Sequence, residues 1–553
     1  MRITVSLLAA VAASGLVVPW ASADAAVHKK RHHSPRREHP HHVVSGTYSE
    51  LRSEVESLKT EVSSLHQELD AERQQAAATQ SQVADARSKF NSMNAQLASS
   101  TPVTHADVQN QIKSAIESEH HKDHADYKGI HITPGGFLEL AGIYRQHYLG
   151  QDLPSSFQNI PFPNSRPGQL SEGRLSARQS RLSFLAEGVV NPTTKLSMYG
   201  EFDFLGAAQT ANSNESNSYN PRIRHLYATI DWAKGNGGVH LLAGQNWSLV
   251  TLNSKGITPR NEITPPQIDA QYVPGFAWAR QPQVRLTADA FDHALWFAVS
   301  AENAATTSAG TLPTNVVANL TGSGGFNSAN SYSYNNIPDI VGKVAYEGKI
   351  AGRTLHLEGF GISRTFTERL TSGTTSTRAG GGYGGSIMLQ VVPKILDAQF
   401  SAMTGKGIGR YGSSQLPDVT YSPDGTIQPL QETMLLGGLT LHATKMLDIY
   451  GFAGEEYVSA QDYGAVGSTL YGYGNALLNN SGCLTEGGTC SGNTRMVRQG
   501  TLGFWQKIYQ GSFGRAQVGV QYSYTERSLF NAVGGAPTTN DNMAFLSFRY
   551  YPF

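Results

Sequence analysis

Two cysteines in 553 residues rule out a disulfide-knit scaffold. Both, Cys483 and Cys490, fall inside the stretch 460–494, and no other ligands accompany them to suggest a metal site. In an oxidising compartment their spacing would close a small loop, so a disulfide between them is expected. Long apolar runs are also missing. Past the N-terminus none reaches the roughly 18 residues that a membrane-crossing helix needs. Charge of one sign is absent as well: 43 Lys and Arg stand against 43 Asp and Glu. That balance gives no support to a nucleic-acid partner, which would favour a strongly basic face. Finally, no G-x-S-x-G and no H-E-x-x-H occurs around the available serines and histidines such as His225 and His240. An enzyme is not expected, nor a cofactor.

What is present begins with an export signal. Residues 1–23 have a basic start at Arg2, an apolar core from Val5 to Val18, and Ala21-Ser22-Ala23 as a cleavage pattern. Residues 24–47 follow as an arm rich in histidine, lysine and arginine. Its charge and prolines argue against packed structure, so a flexible basic arm is expected. It could touch acidic polymers of the periplasm; metal binding is the competing reading. Residues 48–100 then change to an a/d heptad repeat. One seam carries Val55, Val62 and Leu69, the other Leu51, Leu58 and Leu65. Glu54, Glu61 and Glu68 at g face Lys59, His66 and Arg73 at e′, which favours a parallel coiled coil. At about 1.5 Å per residue the rod would be roughly 75 Å long. Val at a with Leu at d leans to a dimer, which a tethered trimeric domain could override. Residues 101–135 read as a linker with a short helix at 106–119 and a histidine cluster at His120, His121 and His124, taken as a polar hinge rather than a metal site.

From residue 136 to the end the period is two. About sixteen strand-like runs follow one another, from 137–148 to the aromatic-rich 542–553, with 353–366 and 381–392 among them. An even number of strands suits a bacterial outer-membrane barrel. Short turns such as Asn191-Pro192 and Ala351-Gly352 alternate with long polar loops, the longest at 150–173, 251–279, 303–338 and 460–494. Short turns on the periplasmic side and long loops outside are the asymmetry of such barrels. An apolar terminal strand would be a hazard at an open sheet edge, and closure removes that edge. The fold expected is therefore an all-β transmembrane barrel of about 16 antiparallel strands, preceded by an α-helical coiled coil. Alternation sorts the faces: Leu196, Met198, Phe202 and Phe204 toward lipid, Tyr199, Glu201 and Asp203 toward the lumen. Likewise Leu295, Phe297 and Val299 would face out and Trp296, Ser300 and Glu302 in. In 542–553, Ala544, Leu546, Phe548 and Tyr550 share a parity that Phe553 breaks, which calls for a bulge or a reset at Pro552.

Arginines concentrate in a few strands: Arg174, Arg178 and Arg181, then Arg222 and Arg224, then Arg280 and Arg285. Rings of arginine select anions in pores, and the guanidinium suits bidentate carboxylate recognition. The competing reading is that they pair with Glu201, Asp203, Glu187 and Asp231 across the wall and only stabilise it. Parity is imperfect, since Arg178 and Arg181 cannot both face in without a bulge, and Arg222 and Arg224 share parity with Leu226 and Ile230. The loop at 251–279, with Lys255, Arg260, Glu262 and Asp269, either folds into the lumen as a constriction or forms an extracellular lid.

Three stretches resemble the DcaP-like porins: Pro221-Arg222-Ile223-Arg224-His225-Leu226-Tyr227, Leu242-Ala243-Gly244-Gln245-Asn246-Trp247 and Arg280-Gln281-Pro282-Gln283-Val284-Arg285. The layout of signal, coiled coil and about sixteen strands is similar too. The resemblance implies a homotrimer with one channel per chain, passive uptake of small anions such as dicarboxylates, and arginines of those motifs lining the pore. The expected place is the bacterial outer membrane, with lipid around the barrel and the coiled coil in the periplasm. A barrel-anchored tether or adhesin, working through its coiled coil, is the alternative function.

Overall fold

The computed structural model describes residues 124–206, 220–317 and 335–553, together with Arg52, Ser53, Val55, Glu56, Lys59, Ser63 and Ser88, which are helical. The expected signal peptide, basic arm and helix at 106–119 lie outside the described residues, as does all of the expected coiled coil at 48–100 but those seven residues.

Sixteen antiparallel strands form a closed ring. They are β1 (Ile130–Arg145), β2 (Arg181–Asn191), β3 (Thr194–Asp203), β4 (Arg222–Lys234), β5 (Gly237–Trp247), β6 (Arg280–Ala290), β7 (Leu295–Glu302) and β8 (Asp339–Ile350). The second half comprises β9 (Arg353–Arg369), β10 (Thr375–Val392), β11 (Leu396–Lys406), β12 (Gln431–His442), β13 (Leu447–Val458), β14 (Thr494–Gly511), β15 (Gly514–Leu529) and β16 (Thr538–Tyr551). Each strand pairs with the next, and β16 returns to β1 from Leu138↔Tyr550 to Arg145↔Met543. No edge is left, so every ladder group has a partner without water, which hydrocarbon requires.

Polarity is sorted the opposite way from a water-soluble sheet. In β6 Val284 and Leu286 are exposed, while Gln283, Arg285 and Thr287 are buried. In β7 Phe297 and Val299 are exposed, whereas Trp296, Ser300 and Glu302 are buried. In β16 Leu546 and Phe548 face out, and Met543, Phe545 and Ser547 face in. Tyr144, Tyr457 and Tyr524 stand exposed toward the loop end of the wall, and Trp232, Tyr346 and Tyr509 toward the turn end. Two such girdles bracket the apolar band of a membrane barrel.

Three differences from the sequence reading have local causes. β1 starts at Ile130, inside the expected linker, and is preceded by a short strand, Ala125–Tyr127, that pairs with it. Pro134 is tolerated within β1 because the β1 edge away from β2 has no ladder between Ile132 and Leu138. β9 and β10 run on to Arg369 and Thr375, so only residues 370–374 join them. The glycines of β10 are not loop signals there. A Cβ at Gly384 would lie 2.5 Å from the Phe360 ring, which fills that space instead. Phe553 needs no reset of register, for β16 ends at Tyr551 and Phe553 is exposed beyond it.

Candidate functional site: an arginine-walled constriction

Three long loops carry apolar side chains that cannot remain in water, and the barrel interior takes them. The third long loop, residues 248–279, buries Leu249, Val250, Ile257, Ile268, Val273 and Phe276. It crosses the lumen rather than capping it. The Ile268 amide donates to Gln521 Oε1 of β15 (2.6 Å), the Gly275 amide to Glu456 Oε1 of β13 (2.7 Å), and the Trp505 indole of β14 to Pro266 O (2.9 Å). Residues 407–430 also turn inward, burying Tyr411, Leu416, Val419, Tyr421 and Ile427. They lock to the third loop where the Trp278 amide donates to Tyr411 O (2.7 Å). The first long loop adds Leu153, Phe157 and Ile160, and its Ser155 amide donates to Asp269 Oδ1 (3.1 Å). This packing fills the interior against β12 to β16. Only the former of the two readings of the 251–279 loop, constriction or lid, fits the geometry.

A polar cavity of about 210 Å³ remains between the third loop and the β2–β5 wall. Its lining includes Arg181, Tyr199, Glu201, Arg224, His225 and Tyr227 from the wall, and Arg260, Glu262, Thr264 and Tyr272 from the loop. Local sequence brings the wall groups together through a bulge. The β3–β4 register runs Glu201↔His225 and then Phe202↔Ile223, leaving Arg224 as the extra residue. Parity flips at that point, so Arg222 and Arg224 face in before the bulge and His225 and Tyr227 after it, while Ile223 and Leu226 stay outside. Arg178 and Arg181 are reconciled in the same manner: β1 pairs first with Glu172–Ser176 and then with β2, and residues 177–180 bow out of the ladder between them.

Most of the candidate arginines are already committed. Arg222 chelates Asp203 through Nε (2.9 Å) and Nη2 (2.7 Å). Arg224 bonds Glu201 through Nε and Asp203 through Nη1 (3.0 Å). Arg178 pairs with Asp152 (2.7 Å), and Arg174 with Glu172 (3.1 Å). Arg285 is buried behind the third loop, donating to Gln283 Oε1 (3.0 Å) and to Trp247 O, with Glu262 3.9 Å away. Arg178, Arg222, Arg285 and Asp203 thus stand outside the cavity lining, and so does Arg280. Two arginines differ. Arg181 lies over the Phe137 ring at 5.2 Å, and Arg280 lies against the edge-to-face pair of Trp247 (5.0 Å) and Trp278 (5.4 Å). Among the described residues neither has a carboxylate oxygen within 4.0 Å, and Arg181 Nε and Arg280 Nη1 lack a hydrogen-bond partner.

The loop groups register this field. Burial alone would raise the Tyr272 phenol, but Arg224, Arg181 and Arg280 around it bring it below its ordinary value. Burial pushes the Glu262 carboxyl up, opposed by Arg285. Sequence reasoning had placed Tyr199 in the lumen and Arg260 and Glu262 on the decisive loop. It missed Tyr227, Trp247 and Tyr272 as lining groups, because their alternation looks the same whether a loop covers them or not. Cys483 and Cys490 form a disulfide in the loop between β13 and β14.

Neither protein-family models nor curated proteins match this chain. Solved structures do. The outer-membrane channel DcaP of Acinetobacter baumannii superposes with a TM-score of 0.55 at 19% identity, covering 77% of this chain and 99% of that one. An anion-selective porin from Comamonas acidovorans gives a TM-score of 0.42 at 11% identity, with 76% and 99% covered. OmpT of Vibrio cholerae gives 0.39 at 11%, with 77% and 99% covered. The chain has a porin-like outer-membrane channel fold, and it resembles DcaP, as the arginine-bearing stretches of its sequence do.

Proposed function

We propose that the protein is an outer-membrane porin through which small anions, carboxylates and dicarboxylates foremost, diffuse passively. The observation that carries this reading is the pair of uncompensated guanidiniums, Arg181 and Arg280, beside a water-accessible polar cavity. The lining itself holds three arginines against two glutamates. At about 30 Å³ per water, 210 Å³ holds roughly seven waters or a few-carbon dicarboxylate. Three copies would assemble as the DcaP resemblance implies, joined below the membrane by the coiled coil at 48–100. The outer wall offers a shallow apolar groove of about 520 Å³ lined by Phe400, Leu435, Gly437, Ala453 and Gly500, where small residues let a second wall approach.

Single-channel recording of the purified protein tests this. Succinate added to chloride electrolyte should reduce the chloride current in a saturable manner, more strongly than acetate does. Equal, non-saturating effects of the two would remove carboxylate recognition from the account.

A further inference from the structure

The end of the barrel that carries the short turns holds a second cluster, unrelated to the constriction. Ala125–Tyr127 and the start of β1 form a hairpin with the register Ala125↔Ile132, Asp126↔His131 and Tyr127↔Ile130. The two-residue connection, Lys128 and Gly129, has φ of +51° and +80°. Positive φ at both positions is the tight turn whose twist matches paired strands, so the register is set locally. Asp126 and His131 are directly opposed, and His124 lies two residues before Asp126. All three side chains therefore project from one face of the ladder. His131 also pairs with Glu187 of β2, whose carboxylate lies 3.9 Å from Arg260 of the third loop. That face is the lumen side.

The donor atoms converge. His131 Nδ1 is 2.5 Å and His124 Nε2 is 3.6 Å from Asp126 Oδ1, with the two imidazole centroids 5.1 Å apart. All three donors lie within 4.8 Å of one another. Ligands about 2.0–2.1 Å from a tetrahedral ion stand about 3.3 Å apart, between the two separations seen. Opening the His131–Asp126 contact by a side-chain rotation would admit the ion without moving backbone. Two imidazoles, borderline donors, beside one hard carboxylate suit Zn²⁺, Ni²⁺ or Cu²⁺ rather than Ca²⁺ or Mg²⁺, which prefer oxygen alone. Three protein donors leave a fourth position for water or a passing anion.

We propose that His124, Asp126 and His131 bind a divalent transition-metal ion on the lumen side of the barrel's short-turn mouth. The site adds a positive charge to the end of the path, and it stands on the hairpin geometry, independently of what the channel conducts.

The test is equilibrium binding of Zn²⁺, and of Co²⁺ followed by its visible absorption, to the full-length protein in detergent. The histidine-rich arm contributes equally to all variants, so the difference between them reads the hairpin site. Wild type should bind one equivalent of Zn²⁺ more than His131→Gln and than His124→Gln. It should also show a tetrahedral Co²⁺ band that both variants lack. Asp126→Asn should keep the barrel, judged by its heat-modifiable migration, and lose the band. Equal stoichiometry in wild type and both histidine variants, with identical Co²⁺ spectra, would overturn the assignment.

Discussion

A guanidinium keeps its charge throughout the physiological range, so what an arginine does in a water-filled lumen is decided by its neighbours. Arg222 and Arg224 spend their charge on Asp203 and Glu201; removing Arg224 would take from the buried Glu201 its hydrogen-bonded cation at a cost of about 3–5 kcal/mol, while Asp203 would keep one arginine after loss of the other. Their loss would be read as instability before it was read as selectivity. Arg181 and Arg280 have no such debt. A unit charge acting across about 7 Å of water contributes about 0.6 kcal/mol, close to RT. That amount favours the anion and disfavours the cation alike, so Arg181→Ala and Arg280→Ala should each lower the anion-to-cation permeability ratio about sevenfold. Arg178→Ala, which breaks a pair with Asp152 off the lining, should leave that ratio unchanged; bi-ionic potentials measure all three. Glu262 adds a pH dependence. Its carboxyl titrates above the ordinary range because it is buried, so it is neutral on the acid side and gains its negative charge only as pH rises through that raised value. Anion preference should therefore strengthen on acidification from neutrality, and Glu262→Gln should flatten that change. A slope unaltered in the variant would assign it to another group.

Among the elements, the inward loops decide the bore. Gly275 sits at φ +91° where a Cβ would lie 1.9 Å from Leu435 O, and its amide holds Glu456. Gly275→Val should lift the third loop off β12 and β13 and raise single-channel conductance with a noisier trace. An unchanged trace would mean that this contact does not set the bore. The loop at 407–430 is pinned by Arg364, fully buried, through Nε to Asp339 (3.1 Å) and Nη1 to Asp418 (2.7 Å). Arg364→Met leaves two buried carboxylates unpaired, about 3–5 kcal/mol. Residues 407–430 should then become cleavable by protease while the barrel still migrates as folded. The strands were legible in the sequence, because alternation over 8 to 18 residues is a strong signal. The inward course of residues 407–430 was not. A loop that packs inside a barrel and one that waves above it carry the same glycines and polar residues. The bulge at Arg224 was visible only as a conflict of parity, and the ladder explains that conflict. Which arginines lack a neighbouring carboxylate depends on distances between strands, which spacing along one chain does not encode.

For the whole molecule, the wall and its filling leave a polar cavity on one side. Apolar side chains cover the outside, three loops pack into the inside, and the polar cavity lies against β2 to β5 beside Arg181 and Arg280. The polar inner face of the wall and the apolar band were predictable from a two-residue period. The small size of the cavity was not, since it results from tertiary packing of loops against the far wall. On the proposed reading the channel discriminates by charge. Its reversal potential in a planar bilayer under a potassium chloride gradient therefore tests the account most directly. The potential should take the sign set by chloride and move toward zero in the Arg181→Ala, Arg280→Ala double variant. A potential of the sign set by potassium, or one that the double variant leaves unchanged, would contradict it.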